Sequence, residues 1–519
     1  MDSDDPDQVL ENFIDIMNFA LDRYCPMVTK TKNRLKKADK PWCTHELKIL
    51  IKEKNKVHSK FLRYPITYGD AYRRLRNQVN NSIRSHKKLY YQSKLNLYRN
   101  DSKKKWSVIN ELLGRKQGSE GLDEIVVDGL SINDKQKITD EFNSYFHSVP
   151  HIVRSHLPPP TTNFYDYLTG TYSSSFYLRP MTPHDLITIV NSLNDSGGGF
   201  LNIPTKVIKC HMDILIQPLC TIYNMCIRKG YFPKLFKIAQ ITPVYKSGPK
   251  SDVANYRPIS VLSPFSKIFE KYIYKQLIGY FESNHILIKE QSGFRSNFTT
   301  DISTGKLLDL IVKDINKQHY DISLFIDFLN AFDLVNHNIL LRKLYFYGIR
   351  GIPYNLLASF LTDRYQYVFS NGFSSKKEKV DIGVVQGSIL GPLLFIIFVN
   401  DIGNSSPVLK FNLFADDTSI YYGSPNLHES YQVFNNELEK VSNWILANGL
   451  SLNSNKTYYM LFCGNKKVHN TYPIKMFGRD ITRKRELRFL GLILDDKLSW
   501  KSHIHTVTNK VSRMVGIFF

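Results

Sequence analysis

The stretch FADDTSIYYG, Phe414 to Gly423, sets two adjacent carboxylates, Asp416 and Asp417, between two segments of strand character. Val408, Leu409, Phe411 and Leu413 lie upstream, and Ile420, Tyr421 and Tyr422 downstream, so both flanks are β-branched or aromatic with partial alternation. That is a hairpin with its charges at the tip. Asp tolerates the left-handed geometry of a tight turn, which accounts for one acid there. It does not account for two like charges held together beside dry strands.

A third carboxylate, Asp327, ends the short apolar run Leu324, Phe325, Ile326. Alone it reads as a turn former or helix cap. Taken with the hairpin it calls for another cause. Mg²⁺ takes oxygen ligands and is held by one or two carboxylates plus substrate phosphates. Two such ions serve in-line displacement at phosphorus, activating the attacking oxygen and steadying the leaving one. On this reading the acid pair exists to be filled by cations.

The rest of the composition agrees with a phosphate-rich partner. In 519 residues, 42% hydrophobic and 13% aromatic, there is material for a large core and for two to four domains. Net charge is +22 with a pI near 9.4, and most of the excess falls between Thr29 and Gln117. A solvated helical face explains charge but not so much of one sign, because neighbouring cations repel. Nucleic-acid contact is the expected role. The six cysteines form no CxxC pair and read as reduced intracellular thiols. The acidic start MDSDDPDQ is no signal or transit peptide. The apolar run Leu393 to Val399 falls far short of the roughly 20 residues that span a bilayer, so no membrane role is expected.

From His45 to about Tyr91, Tyr68, Tyr72, Leu75, Val79, Ile83 and Tyr90 recur at helical spacing with Arg and Lys between them. Basic amphipathic helices are expected before Trp106. A looser region ends in SHLPPPTTNFYDYLTGTYSSS, where Pro158 to Pro160 cannot continue a helix. From about Thr182 helices and short strands alternate in an α+β pattern.

Asp327 followed by FLNAFD, then GVVQGSILGPLLF (Gly383 to Phe395), then FADD, resembles motifs A, B and C of a reverse transcriptase, and more narrowly the non-LTR (LINE-like, Jockey-type) retrotransposon polymerases. ITPVYKSG with NYRPISVLS (Ile241 to Ser263), QSGFRSNFTTDIS (Gln291 to Ser303), NGLSLNSNKT (Asn448 to Thr457) and LRFLGLILDDKLSW (Leu487 to Trp500) follow the family in order. PWCTHEL and KKWSVINELLGRK resemble the segment joining endonuclease to polymerase in that family. The resemblance implies a right-hand polymerase fold. Its parts are a basic helical N-terminal region at 1–120, a linker region at 121–178, fingers at 179–310, palm at 311–480, and a primer grip with the start of a truncated thumb at 481–519. The reverse transcriptase domain covers about 226–495.

The same resemblance implies roles for single residues. Asp327, Asp416 and Asp417 would be the catalytic triad, binding two Mg²⁺ with Mn²⁺ as a substitute. Phe332 occupies the position of an aromatic steric gate against a 2′-OH. Asp333 is expected to cap the following helix rather than bind metal. Lys246 and Arg257 match the fingers residues that grip an incoming triphosphate, for which a point charge and a planar fork are suited. Gln386 and Gly387 open motif B, the glycine allowing close approach to a base pair; Val385 stands where the family more often has Pro. Gly391-Pro392 suits a helix start, with Leu393 to Val399 buried behind the site. Lys456 matches the motif D lysine, a general acid for pyrophosphate, and Leu490-Gly491 the primer-grip turn.

The implied activity is RNA-directed DNA polymerisation, with RNA template, DNA primer and dNTPs as partners. The expected setting is a ribonucleoprotein of nucleus and cytoplasm. Relatives carry an endonuclease upstream and a thumb with a Cys/His-rich tail downstream, so an endonuclease supplied by another chain or lost is expected. The alternative is a weak or inactive truncated copy acting only as a nucleic-acid-binding protein.

Overall fold

The computed structural model describes residues 3–26, 40–112, 124–464, 466, 468 and 471–518. Parts of the basic stretch, including the end of KKWSVINELLGRK, lie outside them. The chain forms two compact units, one of residues 1–25 with 121–510, the other of residues 26–120 with 511–519.

The larger unit is α+β, as expected, and contains two five-stranded sheets. In the first, Tyr320–Ile326 is the central strand. Antiparallel partners flank it, Asp417–Ser424 on one side and Tyr458–Phe462 on the other; Lys410–Phe414 and Thr482–Arg483 form the edges. Period-two alternation sorts the central strand. Ile322, Leu324 and Ile326 enter the main core, while Phe325 enters a smaller cluster with Leu307, Tyr421, Phe489 and Leu494. Because both faces are covered, the strand reads as a nearly continuous apolar run.

The second sheet runs Tyr256–Val261, Ile238–Tyr245, Arg364–Ser370 and Phe373–Ser374, with Glu378–Val380 pairing Arg364–Ser370. Residues 121–178, expected as a linker, contribute to its core. A short hairpin (Ile125–Val127, Leu130–Ile132) and the helix Lys135–Ser155 place Ile125, Ile138, Phe142 and Phe146 against Ile241, Tyr256 and Val368. Apolar residues at helical spacing in 135–155 carried that signal, masked by the prolines that follow.

The start of the chain also differs from expectation. Helix Pro6–Tyr24 is amphipathic and acidic, and it packs Val9, Leu10, Phe13 and Ile14 into the main core rather than joining the basic helices. Phe13 meets Phe265 edge-on at 5.7 Å, and Tyr231 donates a hydrogen bond to Asp7 (2.7 Å).

The smaller unit holds the basic helices His45–Arg63 and Pro65–Leu97, which pack on one another, followed by Ser102–Leu112. Pro65 has no N–H to donate, so it ends one helix and opens the next. His58, Phe61 and Tyr72 stack between the helices, with the Phe61 and Tyr72 rings 5.1 Å apart.

Helix Leu390–Phe398 is buried in the larger unit at every residue but the half-buried Pro392, and it starts at the expected Gly391-Pro392. It has no side-chain N-cap of its own. The buried carboxylate of Glu270 accepts the N–H groups of Ile389 (2.8 Å) and Leu390 (3.3 Å) instead. At the other end the buried Lys343 ammonium donates to the Phe398 carbonyl (2.7 Å) and to Asp401 (2.6 Å). An anion at the N-terminus and a cation at the C-terminus both complement the helix dipole.

Candidate active site

Asp327 follows the last residue of the central strand, whose final ladder pair is Ile326 with Thr418. One further step in the same register sets Asp327 opposite Asp417, with strands about 4.8 Å apart. Directly opposed residues of an antiparallel pair share a face, so both carboxylates emerge on the Phe325 side of the sheet. Asp416 occupies the two-residue turn between Phe414 and Asp417. Acids from two segments far apart in the chain thus meet at one edge.

The turn corrects one expectation. The positive φ falls on Ala415 (59°), and neither aspartate has one. Conformational tolerance therefore explains neither Asp416 nor Asp417. Their electrostatics also show the cost of proximity. Burial, then the charges of Asp416 and Asp327, push the Asp417 carboxyl up to about 6. Asp416 is raised by burial and by Asp327, against the lowering pull of Arg257 and Lys246.

The expected cations face these acids. Lys246 directly follows strand Ile238–Tyr245 and Arg257 lies on its neighbour, opposite Val244. The Lys246 ammonium is held below its ordinary value by burial, then by Lys456 and Arg257, with Asp327 opposing. Lys456 and Arg257 therefore both repel Lys246 beside a group of acids that repel one another. A cavity of about 500 Å³ opens here, lined by Asp327, Asp417, Lys456, Tyr458, Lys484 and Arg488 among others. Its far wall is the hairpin Glu486–Phe489 and Leu492–Asp495, turned at Leu490 (φ 44°) and Gly491 (φ 95°), with Phe489 against Phe325 at 5.0 Å.

Motif B is tied to motif A by several bonds. Gly383 N–H donates to Val335 O (2.9 Å), Val384 N–H to Phe332 O (2.8 Å), and His337 Nε2 lies 2.7 Å from Gly383 O. Gln386 Nε2 donates to Asp333 Oδ1 (2.8 Å). Asp333 is therefore not the helix cap; Asn336 caps helix His337–Phe346, accepting from Asn338 and Ile339. Gly387 (φ 111°) packs closely on protein, where a Cβ would lie 2.4 Å from Ser260 O. Phe332 is half-buried and stacks on Phe395 at 4.5 Å, with Phe294 edge-on at 6.2 Å.

Two site residues carry no signal in the sequence. Asn453 donates through its side chain to Asp327 Oδ2 (2.9 Å) and through its backbone to Asp327 O (2.8 Å). Gln291 Oε1 accepts from Ala415 N–H (3.1 Å) and Gly293 N–H (2.7 Å). They lie in NGLSLNSNKT and QSGFR, two of the family-like motifs, yet an amide has no charge to single it out. A left-handed Ala costs roughly 1–2 kcal/mol. Leaving two buried N–H groups unpaired would cost about 1–3 kcal/mol each, so the Gln291 bonds outweigh the strain.

Among the described residues no three His, Cys, Asp or Glu side chains are gathered tightly enough to close round an ion as they stand. The donor chemistry still fits a divalent cation: all-oxygen ligands, mutually destabilised while no cation separates them. No described helix is long and apolar enough to cross a membrane.

With this geometry in place, comparison defines the class. Residues 248–494 match the family "Reverse transcriptase (RNA-dependent DNA polymerase)". The chain thus carries a reverse transcriptase domain, its sheets and helices consistent with the right-hand polymerase fold, and that family normally uses divalent metal ions. Its relatives include the RNA-directed DNA polymerases of the non-LTR elements jockey, BS and X-element. It is 27% identical over 365 residues to the RNA-directed DNA polymerase from mobile element jockey of Drosophila melanogaster, covering 67% of this chain and 39% of that one. It is 29% identical over 355 residues to the probable RNA-directed DNA polymerase from transposon BS of the same species, covering 66% and 39%. The chain spans about two-fifths of the length of these curated relatives. A solved apo telomerase from Candida tropicalis, truncated from its C-terminal domain, is similar at 16% identity and a TM-score of 0.35, covering 51% of this chain and 54% of that one.

Proposed function

We propose that this chain is an RNA-directed DNA polymerase, adding dNTPs to a primer 3′-OH on an RNA template. One observation carries the reading. Asp327, Asp416 and Asp417 repel one another, Lys246 is repelled by Arg257 and Lys456, and the two sets act on each other beside a cavity lined by Asp327, Asp417 and Lys456. Each set is relieved by an opposite charge, and a nucleoside triphosphate with its cations brings both.

Asp327, Asp416 and Asp417 would hold two Mg²⁺, or Mn²⁺ in their place. When bound, these ions supply Lewis acidity to the attacking hydroxyl and to the leaving pyrophosphate. Arg257 and Lys246 orient the triphosphate, the first as a planar fork and the second as a point charge. Lys456 donates a proton to pyrophosphate. Phe332, braced by Phe395, sits under the sugar and excludes a 2′-OH. Gln386 and Gly387 shape the wall around the nascent pair.

We assign fingers to 179–310, palm to 311–480, and primer grip with the start of a thumb to 481–519. The basic N-terminal helices would track nucleic-acid phosphates, Lys56, Lys60 and Arg63 lining a groove with Tyr64 and Tyr68 on which bases stack.

Primer extension on an RNA template with Mg²⁺ tests the reading. Wild type is expected to extend, and Asp416→Ala to abolish extension while RNA affinity stays nearly intact. Extension surviving in that variant would refute the site. Binding without extension by the wild type would leave a nucleic-acid-binding protein.

A further inference from the structure

The carboxylate hairpin does not hold its own tip. Ala415, an L-residue at φ 59°, gains nothing from its side chain there, and glycine is the ordinary occupant of such a position. What holds it is a segment more than a hundred residues upstream. Glu290 O accepts Leu413 N–H (3.0 Å) and Ser292 N–H donates to Leu413 O (2.8 Å), so Gln291 lies alongside the hairpin as a parallel bridge. The Gln291 side chain, 1% exposed, then turns its single amide oxygen onto the N–H groups of Gly293 and Ala415. Gly293 must be glycine, since a Cβ would stand 2.1 Å from Ala415 N. Backbone and side chain close on the residue immediately before Asp416.

We propose that Gln291 is a positioning residue for the acidic pair, acting through the Ala415 N–H to keep the turn in the conformation that presents Asp416 and Asp417. It touches no substrate. Its amide nitrogen has no partner among the described residues, so the oxygen carries the function. The inference rests on the polymerase reading for its catalytic consequence, and on geometry alone for its structural one.

Three variants test it: Gln291→Met, which keeps the volume and removes the acceptor, Ala415→Gly, and the two combined. Hydrogen exchange at Ala415 is read beside steady-state extension. Gln291→Met is expected to quicken exchange at the hairpin tip and lower kcat about 100-fold, the cost of a misplacement near 1 Å, with KM for dNTP little changed. Ala415→Gly permits the turn without the clasp, so the double variant should recover most of the lost kcat. A general loss of fold would not be rescued by one glycine at the tip. Unchanged exchange and kcat in Gln291→Met would overturn the proposal, as would a double variant no better than the single one. Faster tip exchange in Gln291→Met with no extension by the wild type would uphold the clasp and sink the polymerase reading instead.

Discussion

Asn453 holds Asp327 twice, its side-chain amide on Oδ2 at 2.9 Å and its backbone N–H on the carbonyl oxygen at 2.8 Å. The motif that supplies Lys456 therefore also orients Asp327, the first acid of the proposed triad. Asn453→Ala is expected to reduce kcat for extension about tenfold, within the range lost when an orienting partner of a metal ligand is removed, and to raise the Mg²⁺ concentration needed for half-maximal rate. Asn453→Asp, which adds a like charge beside Asp327, should be worse. An Asn453→Ala enzyme with wild-type Mg²⁺ dependence would dismiss this role.

Asp417 makes a contribution that favours the folded, metal-free protein at acid pH. Its carboxyl is raised to about 6 by burial, Asp416 and Asp327, so the folded state binds this proton more tightly than the unfolded chain does. The contribution is therefore full below the ordinary value near 3.8 and is lost as pH climbs through about 6. With chelator present, Asp417→Asn should raise the melting temperature at about pH 7.5 and leave it unchanged near pH 3.5. Added Mg²⁺ should stabilise the wild type more than the variant at the higher pH. Equal responses would separate Asp417 from the ion.

Asp333 accepts a hydrogen bond from the Gln386 side chain at 2.8 Å. Burial pushes its carboxyl up to about 6, against the hydrogen bond from Gln386. An Asn offers Gln386 the same acceptor, so Asp333→Asn should extend primers within a few-fold of wild type. Asp333→Leu orphans the Gln386 amide and should lose considerably more. If Asn were as damaging as Leu, the carboxylate charge itself would be required.

Lys343 has no water to fall back on: its side chain is 0% exposed and its ion partner is Asp401 at 2.6 Å. Asp401→Ala leaves that cation unpaired, for which a loss of about 3–5 kcal/mol is the usual scale. Urea unfolding should show it as a lower midpoint. Replacing Lys343 and Asp401 together by Met and Leu should recover most of the loss, since matched apolar groups carry no desolvation cost.

Binding of RNA should weaken steeply with salt. A footprint of about six to ten phosphates would lose roughly 10³–10⁵ in affinity between about 50 and 200 mM salt. Neutralising Lys56, Lys60 and Arg63 should flatten the slope by about one for each phosphate these side chains neutralise. A slope identical to wild type would remove that groove from the interface.

The motifs were legible because they are charges in dry places or glycines beside acids, and local sequence shows both. Asp327 at the end of Leu324-Phe325-Ile326, Asp416-Asp417 between apolar flanks, and the buried run after Gly391-Pro392 needed no coordinates to be singled out. The amides were not legible. Gln291 and Asn453 act through single hydrogen bonds to residues more than a hundred positions away, and no local pattern encodes such a partner. The cap role of Asp333 was misread for the same reason, since its partner Gln386 comes from another element.

By itself the chain's order of residues determined which groups were candidates for chemistry and which strands would carry them, because strand period and acid placement are written within a few residues of each other. Only the tertiary structure decided their register: that Asp327 falls opposite Asp417, that Ala415 takes the positive φ, and that helix Pro6–Tyr24 joins the large core. Register is settled by long-range pairing and burial, and those energies exist only once distant segments meet.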